Sequence, residues 1–193
     1  MTLPIIVVAG LLLGHAGSSD HSSSSDKPLP AVTAPAPPEH DAATLTACNK
    51  VLESINSITT LKSLTPRIVH TVPGTAPTSS FVVAWGDPAI TLSCGVARPK
   101  ELHHGSSAQF FLIAPPKAAG PYYAVTSRNG NEVYTTVDRP VYIQITVPAK
   151  YQGGAYVTTL SAAIDKALPA VCVGAQSNTP PLVPDSKLCA NRP

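Results

Sequence analysis

The stretch Ile90–Val96, which reads Ile-Thr-Leu-Ser-Cys-Gly-Val, alternates apolar and polar side chains and places Cys94 on its apolar face. Alternation with a period of two is typical of a β-strand with one buried face. A second cysteine, Cys48, lies in the segment Asp41–Ile55, and its leading aspartate is suited to cap a helix. There the apolar residues recur at helical spacing, at Leu45, Cys48, Leu52 and Ile55. The pattern therefore predicts an amphipathic helix and a strand that direct two sulfurs into one core.

The chain holds four cysteines, Cys48, Cys94, Cys172 and Cys189, for which three disulfide pairings are possible. The shared core favours a bridge between the first two, and the last two would then close the tail. A metal site made of four thiolates fits poorly, because no C-x-x-C pair is present and the cysteine spacing matches no common zinc pattern. We therefore predict two structural disulfides and no metal site.

The rest of the domain predicts short strands followed by one helix. The predicted strands are Arg67–Val72, Ser80–Trp85, Gln109–Ala114, Tyr122–Ser127, Glu132–Val137 and Val141–Val147. Asn129-Gly130 predicts a hairpin turn, because both residues tolerate a positive φ angle. The apolar stripe of Tyr156–Leu168 predicts a second helix, in which Asp165 and Lys166 face water. The pattern indicates a two-layer α+β fold, with an antiparallel sheet of five or six strands and two helices on one face.

The amino-terminal stretch is typical of an exported protein. Leu3–Gly14 is apolar and uncharged, and as a helix it would span about 18 Å of a hydrocarbon core about 30 Å thick. Gly14 and Ala16 have the spacing of a signal-peptide cleavage site, although no basic residue precedes the run. We expect residues 1–16 to be a signal peptide or a partial membrane anchor. A buried core segment is the remaining alternative.

The composition divides the chain further. Residues 17–40 are rich in serine and proline and are expected to form a disordered linker. Residues 41–173 are expected to form the α+β domain, and residues 174–193 a proline-rich tail held by the second disulfide. The membrane would be contacted only through the N-terminal segment, and the location would be extracytoplasmic, either secreted or anchored to the outer face of the cytoplasmic membrane.

Charge disfavours a nucleic-acid partner. The chain has only 13 basic and 11 acidic residues, and they are scattered without runs. Binding to nucleic acid relies on concentrated basic charge, so this class of partner is not expected. Gly-rich phosphate-binding loops and a Gly-x-Ser-x-Gly nucleophile turn are absent from the sequence, and no cofactor is predicted.

Three blocks resemble a known family. Trp85–Pro99 reads Trp-Gly-Asp-Pro-Ala-Ile-Thr-Leu-Ser-Cys-Gly-Val-Ala-Arg-Pro, and Thr136–Ile143 reads Thr-Val-Asp-Arg-Pro-Val-Tyr-Ile. Together with Ala47-Cys48 and Val147-Pro148, they resemble domain-of-unknown-function family 3515. The resemblance covers roughly residues 42 to 170 and matches poorly over Glu101–Pro121.

What the resemblance implies is limited. It implies an exported or membrane-anchored protein of actinobacterial type, in which Cys48 and Cys94 form a pair and residues 85–88 form a turn. The family has no assigned catalytic residues, so it implies no reaction. The second cysteine pair lies beyond the matched region. The candidate residues that the blocks supply are Trp85, Gly86, Asp87, Pro88, Arg98, Asp138 and Arg139.

Structural roles explain most of these candidates. Asp87 between glycine and proline is typical of a turn, and Trp85 is expected to pack in the core. The arginines Arg98 and Arg139 are expected to pair with Asp87 or Asp138 at the rim of the sheet. An exposed pair contributes less than about 1 kcal/mol, and the sequence does not show whether such a pair is buried. His103-His104 is expected to lie in a solvated loop rather than to bind a metal, because neighbouring side chains of an extended chain point to opposite faces.

Two main functional hypotheses follow, and a third, a small-ligand carrier that uses the sheet face, would require an apolar cavity in place of a filled core. The first is a non-enzymatic binding or accessory domain of the cell envelope, whose partner is an envelope protein or a cell-wall component. The second is an enzyme that acts on envelope material with Asp87, Arg98 and Arg139 at one edge of the sheet. The second requires these side chains to converge in a cleft. No group of residues in the sequence forms a recognisable catalytic set, so no catalytic residue is predicted.

Overall fold

The computed structural model describes residues 29–34, 41–58, 61, 63–70, 81–102, 107–116, 120–151 and 153–171. Within these residues the chain forms two helices, α1 (Ala42–Asn56) and α2 (Gly153–Ala167), and several short strands. The strands are β1 (Val32–Thr33), β2 (Pro66–Arg67), β3 (Val69–His70), β4 (Val82–Trp85), β5 (Ile90–Cys94), β6 (Phe110–Leu112), β7 (Tyr122–Arg128), β8 (Asn131–Thr136) and β9 (Ile143–Val147).

One large antiparallel sheet organises the domain. Its strand order is β2-β4-β5-β9-β8-β7-β6, so seven strands replace the five or six that were predicted. The predicted strand Arg67–Val72 is divided at the exposed Ile68, so that β2 belongs to this sheet and β3 pairs with β1 in a separate two-stranded sheet. β9 lies between β5 and β8, and its alternating residues Ile143, Ile145 and Val147 are completely buried. The α+β class and the two helices on one face are confirmed.

Helix α1 begins at the predicted cap. The Asp41 side chain accepts a hydrogen bond from the Thr44 backbone at 2.7 Å. The predicted apolar stripe is wrong at its first position, since Leu45 is 38% exposed whereas Val51, which it omitted, is completely buried. The first turn projects beyond the packed part of the helix, so the buried face is centred one turn later, about Val51.

The predicted bridge between α1 and β5 is present. Cys48 and Cys94 form a disulfide, and both residues are buried in the main core. The core lies between the sheet and the two helices, with α2 contributing Val157, Leu160 and Ile164. The disulfide therefore links the two layers covalently at the centre of the domain.

Helix α2 begins three residues before its predicted start. Its first turn contains Gly153 and Gly154, and the low helix propensity of glycine hid this turn from the sequence pattern. It is held to the sheet by a buried polar contact as well as by apolar packing. The hydroxyls of Tyr123 on β7 and Ser161 on α2 lie 2.8 Å apart, and both residues are buried. Burial raises the pKa of the Tyr123 hydroxyl, so this group stays protonated.

The second face of the sheet is partly covered, which differs from the predicted single cover. β1 pairs in parallel with β3 and buries Ala34 against Val82 and Ala84 of β4. A further cluster forms around Leu102, Ala124 and Val137. β4 carries apolar residues at every position, so both of its faces need a cover. β1 lies in the stretch that was predicted to be a disordered linker.

Several predictions fall outside the described residues. They concern the signal segment 1–16, the pairing of Cys172 with Cys189, the tail 174–193 and the pair His103-His104. Among the helices that the structure does describe, none has the length and apolarity that a membrane crossing requires.

Candidate functional site

The turn between β4 and β5 carries the residues Trp85, Gly86, Asp87 and Pro88. Trp85 is 3% exposed and packs in the main core, as predicted. Gly86 has a φ angle of +75°, and the peptide bond between Asp87 and Pro88 is cis. Asp87 and Pro88 are exposed, so the turn has a buried entrance and a solvent-facing tip.

Arg67 of β2 supports this turn from the side. Its side chain is only 6% exposed, and its Nη1 donates to the Gly86 carbonyl at 3.0 Å and to Asp87 Oδ1 at 3.3 Å. The Asp87 side chain is 62% exposed, so this ion pair is open to water on the carboxylate side. Lys150 Nζ donates to the Asp87 carbonyl at 2.7 Å. We call the group Arg67, Gly86, Asp87, Pro88 and Lys150 the Asp87 corner.

Two tyrosines lie behind the Asp87 corner. The rings of Tyr151 and Tyr156 meet edge to face with their centroids 5.3 Å apart, and Lys150 Nζ lies 5.7 Å from the Tyr151 centroid. Burial raises the pKa of the Tyr151 hydroxyl, and a hydrogen bond with the Asp87 backbone opposes that rise. The turn is thus held by an aromatic pair on one side and by Arg67 on the other.

A cleft of about 190 Å³ adjoins the Asp87 corner, between the end of α1 and strands β2 and β4. Its walls are mainly apolar and include Ile55, Ile58, Val83 and Trp85, and Arg67 also lines it. The volume is smaller than the 300 Å³ or more that is usual for ligand pockets. The cleft can therefore hold only a small apolar group next to the arginine.

We expect Gly86→Ala to lower the free energy of unfolding by about 2–4 kcal/mol. An alanine at positive φ costs about 1 kcal/mol, and overpacking adds about 1–3 kcal/mol. A Cβ at this position would lie 2.7 Å from the Tyr151 hydroxyl and 3.0 Å from the Leu64 side chain. The measurement is urea unfolding followed by fluorescence of Trp85.

The matched control for that substitution is Gly130→Ala in the β7–β8 hairpin. Gly130 has a φ angle of +76°, but nothing lies within 4 Å of the added Cβ. This variant should lose only the backbone contribution of about 1 kcal/mol. Equal losses in the two variants would show that the close contacts behind Gly86 do not matter.

The second block of candidates forms a buried ion cluster. Arg139, whose side chain is fully buried, donates from Nη1 to Asp138 Oδ2 at 2.7 Å and from Nη2 to Asp165 Oδ1 at 2.6 Å. Asp138 also accepts from the Tyr122 backbone at 3.0 Å, and its carbonyl accepts from the Val171 backbone at 2.9 Å. The cluster thus joins α2 and the segment after it to the beginning of β7 and to the residues that follow β8.

One prediction about these charges is wrong, and the structure adds what the sequence left open about the other. Asp165 was expected to face water, but it lies on α2 within reach of Arg139 and is 24% exposed on its side chain. The pair of Arg139 with Asp138, whose burial the sequence left open, is buried. Burial raises the pKa of the Asp138 carboxyl, and the guanidinium of Arg139 opposes the rise. Arg139 Nε is buried and has no hydrogen-bond partner among the described residues.

The three side chains that the enzyme hypothesis placed together, Asp87, Arg98 and Arg139, do not converge. β5 pairs antiparallel with β9, with Thr91 opposite Thr146 and Cys94 opposite Ile143. The turn before β5, which holds Asp87, therefore lies at one end of the sheet, and the segment before β9, which holds Arg139, lies at the other. Arg98 instead donates to the Leu102 carbonyl at 2.6 Å. The prediction that Asp87, Arg98 and Arg139 share one sheet edge is wrong.

The sequence did not reveal Arg67 and Lys150 as parts of the site. Lys150 follows the Val147-Pro148 block closely, and this proximity was the one available signal for it. Arg67 stands 20 residues before Asp87 with no distinguishing motif, so only the strand pairing of β2 with β4 brings it to the turn. No cluster of metal-binding side chains is present in the described part of the chain.

Comparisons with known proteins add one positive finding. Neither a search of curated proteins nor a search of solved structures found a match. A family model described as "Protein of unknown function (DUF3515)" matches residues 1–173. Because the match spans most of the 193 residues, this chain belongs to the DUF3515 family of proteins of unknown function.

Proposed function

We propose that this protein is a non-enzymatic accessory domain of the cell envelope that binds an envelope protein or a cell-wall component. It acts outside the cytoplasm, either secreted or tethered by its N-terminal segment, which is its only membrane contact. The observation that carries the proposal is the buried Cys48–Cys94 disulfide. Disulfides persist in oxidising compartments and are rare in the reducing cytoplasm.

The Asp87 corner is the binding surface that the geometry supports best. Its tip is exposed, an apolar cleft adjoins it, and Lys150 and Asp87 offer opposite charges to a partner. The charges of Asp138 and Arg139 are paired inside the fold and are not offered to a partner, because Arg139 forms ion pairs with both Asp138 and Asp165. A binding role uses the exposed corner without requiring the convergence of polar groups that catalysis needs.

Thiol labelling in the native host tests the location. Intact cells are quenched and denatured, and a maleimide is added with or without prior reduction. We expect Cys48 and Cys94 to be labelled only after reduction, because both sulfurs are already bonded to each other. Labelling of either cysteine without reductant would contradict an extracytoplasmic site of action.

Photo-cross-linking tests the binding surface. A photoreactive residue replaces Ala149, which is exposed beside Lys150, and in a matched control it replaces Ser127, which is exposed on β7. We expect a discrete adduct with one envelope component from position 149 and none from position 127. The same adducts from both positions, or none from position 149, would count against the Asp87 corner as the binding surface.

A further inference from the structure

Residues 29–34 form a strap across the edge of the sheet beside the Asp87 corner. The Val32 backbone donates to the Ile68 carbonyl at 2.8 Å, and the Ala34 backbone donates to the His70 carbonyl at 2.9 Å. The parallel pairing with β3 involves only two residues of the strap. Because so few contacts hold the strap, it is among the least tightly bound of the described segments.

Arg67 fastens the strap to the corner. Its Nε donates to the Pro30 carbonyl at 2.9 Å, and its Nη2 donates to the same oxygen. Its Nη1 holds the turn through Gly86 and Asp87. One guanidinium thus connects the strap with the surface proposed to bind a partner.

The Pro30 carbonyl is a poor acceptor for the two N–H groups of Arg67 that donate to it. The Nε and Nη2 edge of an arginine presents two parallel N–H groups, the arrangement that binds a carboxylate or a phosphate with two charged oxygens. In this structure a single neutral oxygen, that of Pro30, accepts both bonds. An oxyanion would offer each N–H its own charged oxygen and would therefore bind this edge more strongly than the strap does.

The charges around the edge also favour an anion. Arg67 donates to the Asp87 carboxylate and Lys150 donates to the Asp87 backbone carbonyl, so the corner holds two positive groups and one carboxylate and carries a formal charge of about +1 at neutral pH. Asp87 occupies only Nη1 and leaves the Nε and Nη2 edge to Pro30. Displacement of the strap would open this edge to the solvent.

We propose that the strap and an oxyanion compete for Arg67, so that a carboxylate or phosphate group displaces residues 29–34 and binds at the Asp87 corner. The identity of the natural ligand rests on the proposed function, since an envelope component would supply the anion. The competition itself belongs to the purified chain and can be measured without any partner.

The experiment follows amide hydrogen exchange at Val32 and Ala34 by NMR in the full chain. Sodium phosphate and sodium acetate are added in separate arms, each compared with sodium chloride at equal ionic strength and pH. We expect exchange at both amides to accelerate about fivefold when the anion is at four times its dissociation constant from the detached form, because the anion binds only that form. Amides of the β7–β8 pair should not respond.

The two arms distinguish the sources of the anion. A response to phosphate alone assigns a phosphate group, and a response to acetate alone assigns a carboxylate. A response to both assigns a general oxyanion site. Exchange at Val32 and Ala34 that is the same in chloride, phosphate and acetate would overturn the proposal.

Variants separate the guanidinium from simple charge. Arg67→Lys keeps the charge but loses the paired donors, so the strap should exchange rapidly without any anion and gain nothing from its addition. Arg128→Ala removes one charge from the exposed hairpin and should respond like the wild type. An anion response that survives in Arg67→Lys would overturn the proposal.

A third variant keeps Arg67 intact and guards against misfolding of the first. Val32→Pro removes the N–H that binds the Ile68 carbonyl, which detaches the strap from its edge. Phosphate or acetate should then bind more tightly than to the wild type, because the competing segment is already displaced. Equal or weaker affinity in this variant would show that the strap does not compete with the anion.

Discussion

Opening the Cys48–Cys94 disulfide is expected to lower the free energy of unfolding by about 4 kcal/mol, because the bridge closes a loop of sequence separation 46 in the unfolded chain. Both cysteines are buried between α1 and β5, so the reduced thiols should still pack in the same core. The measurement is urea unfolding of oxidised and reduced protein.

The background for this measurement carries Cys172→Ala and Cys189→Ala, so that a reductant acts on Cys48 and Cys94 alone. Comparison of oxidised with reduced protein isolates the contribution of the cross-link to stability. Reduction breaks only the S–S bond and adds one hydrogen to each sulfur, so all other core atoms are the same in both forms. The double variant Cys48→Ala and Cys94→Ala would then show the added loss of packing. Identical unfolding curves before and after reduction would contradict the expectation.

Replacement of Arg139 by methionine is expected to lower the free energy of unfolding by about 3–5 kcal/mol. The substitution retains an apolar side chain of moderate length but removes the cation that faces Asp138 and Asp165. The carboxylates of Asp138 and of Asp165 on α2 would then lose their shared cation, and the Asp138 carboxylate is buried. Breaking a buried ion pair from one side leaves the desolvation cost of the other, and this cost explains the expected loss.

The loss should depend on pH in a defined direction. In the unfolded chain Asp138 has a pKa of about 3.9, whereas burial raises its pKa in the folded chain, and the loss of Arg139 removes the opposing influence. A carboxyl whose folded pKa is raised ionises first in the unfolded chain. The stability of Arg139→Met should therefore be highest below about pH 4 and fall as the pH rises through the folded pKa.

Arg98→Met provides the comparison for an arginine outside the ion cluster. Arg98 is exposed and donates to the Leu102 carbonyl, so its replacement should cost about 1 kcal/mol or less. Unfolding curves of both variants at several pH values provide the test. A loss in Arg139→Met that does not change with pH would show that Asp138 is not the group left uncompensated.

Local periodicity predicted the layers of this fold correctly where one face of an element is buried. Alternation placed Cys94 on the core face of β5, and helical spacing placed Cys48 on the core face of α1. Both placements depend only on the direction of successive side chains, which the element type determines. The same rule failed at Leu45, because periodicity shows which face is apolar but not how far along the helix the contact extends.

The ion cluster shows a different limit. The sequence places Arg139 next to Asp138, but the partner that completes the cluster, Asp165, is 26 residues further along, on the presumed outer face of α2. Burial of a charged residue depends on how a helix is rotated over the sheet, and the apolar stripe does not determine that rotation closely enough to place Asp165. The sequence therefore put Asp165 in water and left open whether the pair of Arg139 with Asp138 is buried.

The class of the fold, the helix cap at Asp41 and the cysteine pair Cys48–Cys94 follow from local patterns, because side-chain alternation and helical spacing are properties of short stretches of the chain. The position of Arg67 beside Asp87, and of Arg139 at the opposite end of the sheet, follows from the way the strands assemble. Strand order and register bring distant residues together or keep them apart, and no short stretch of sequence encodes that order.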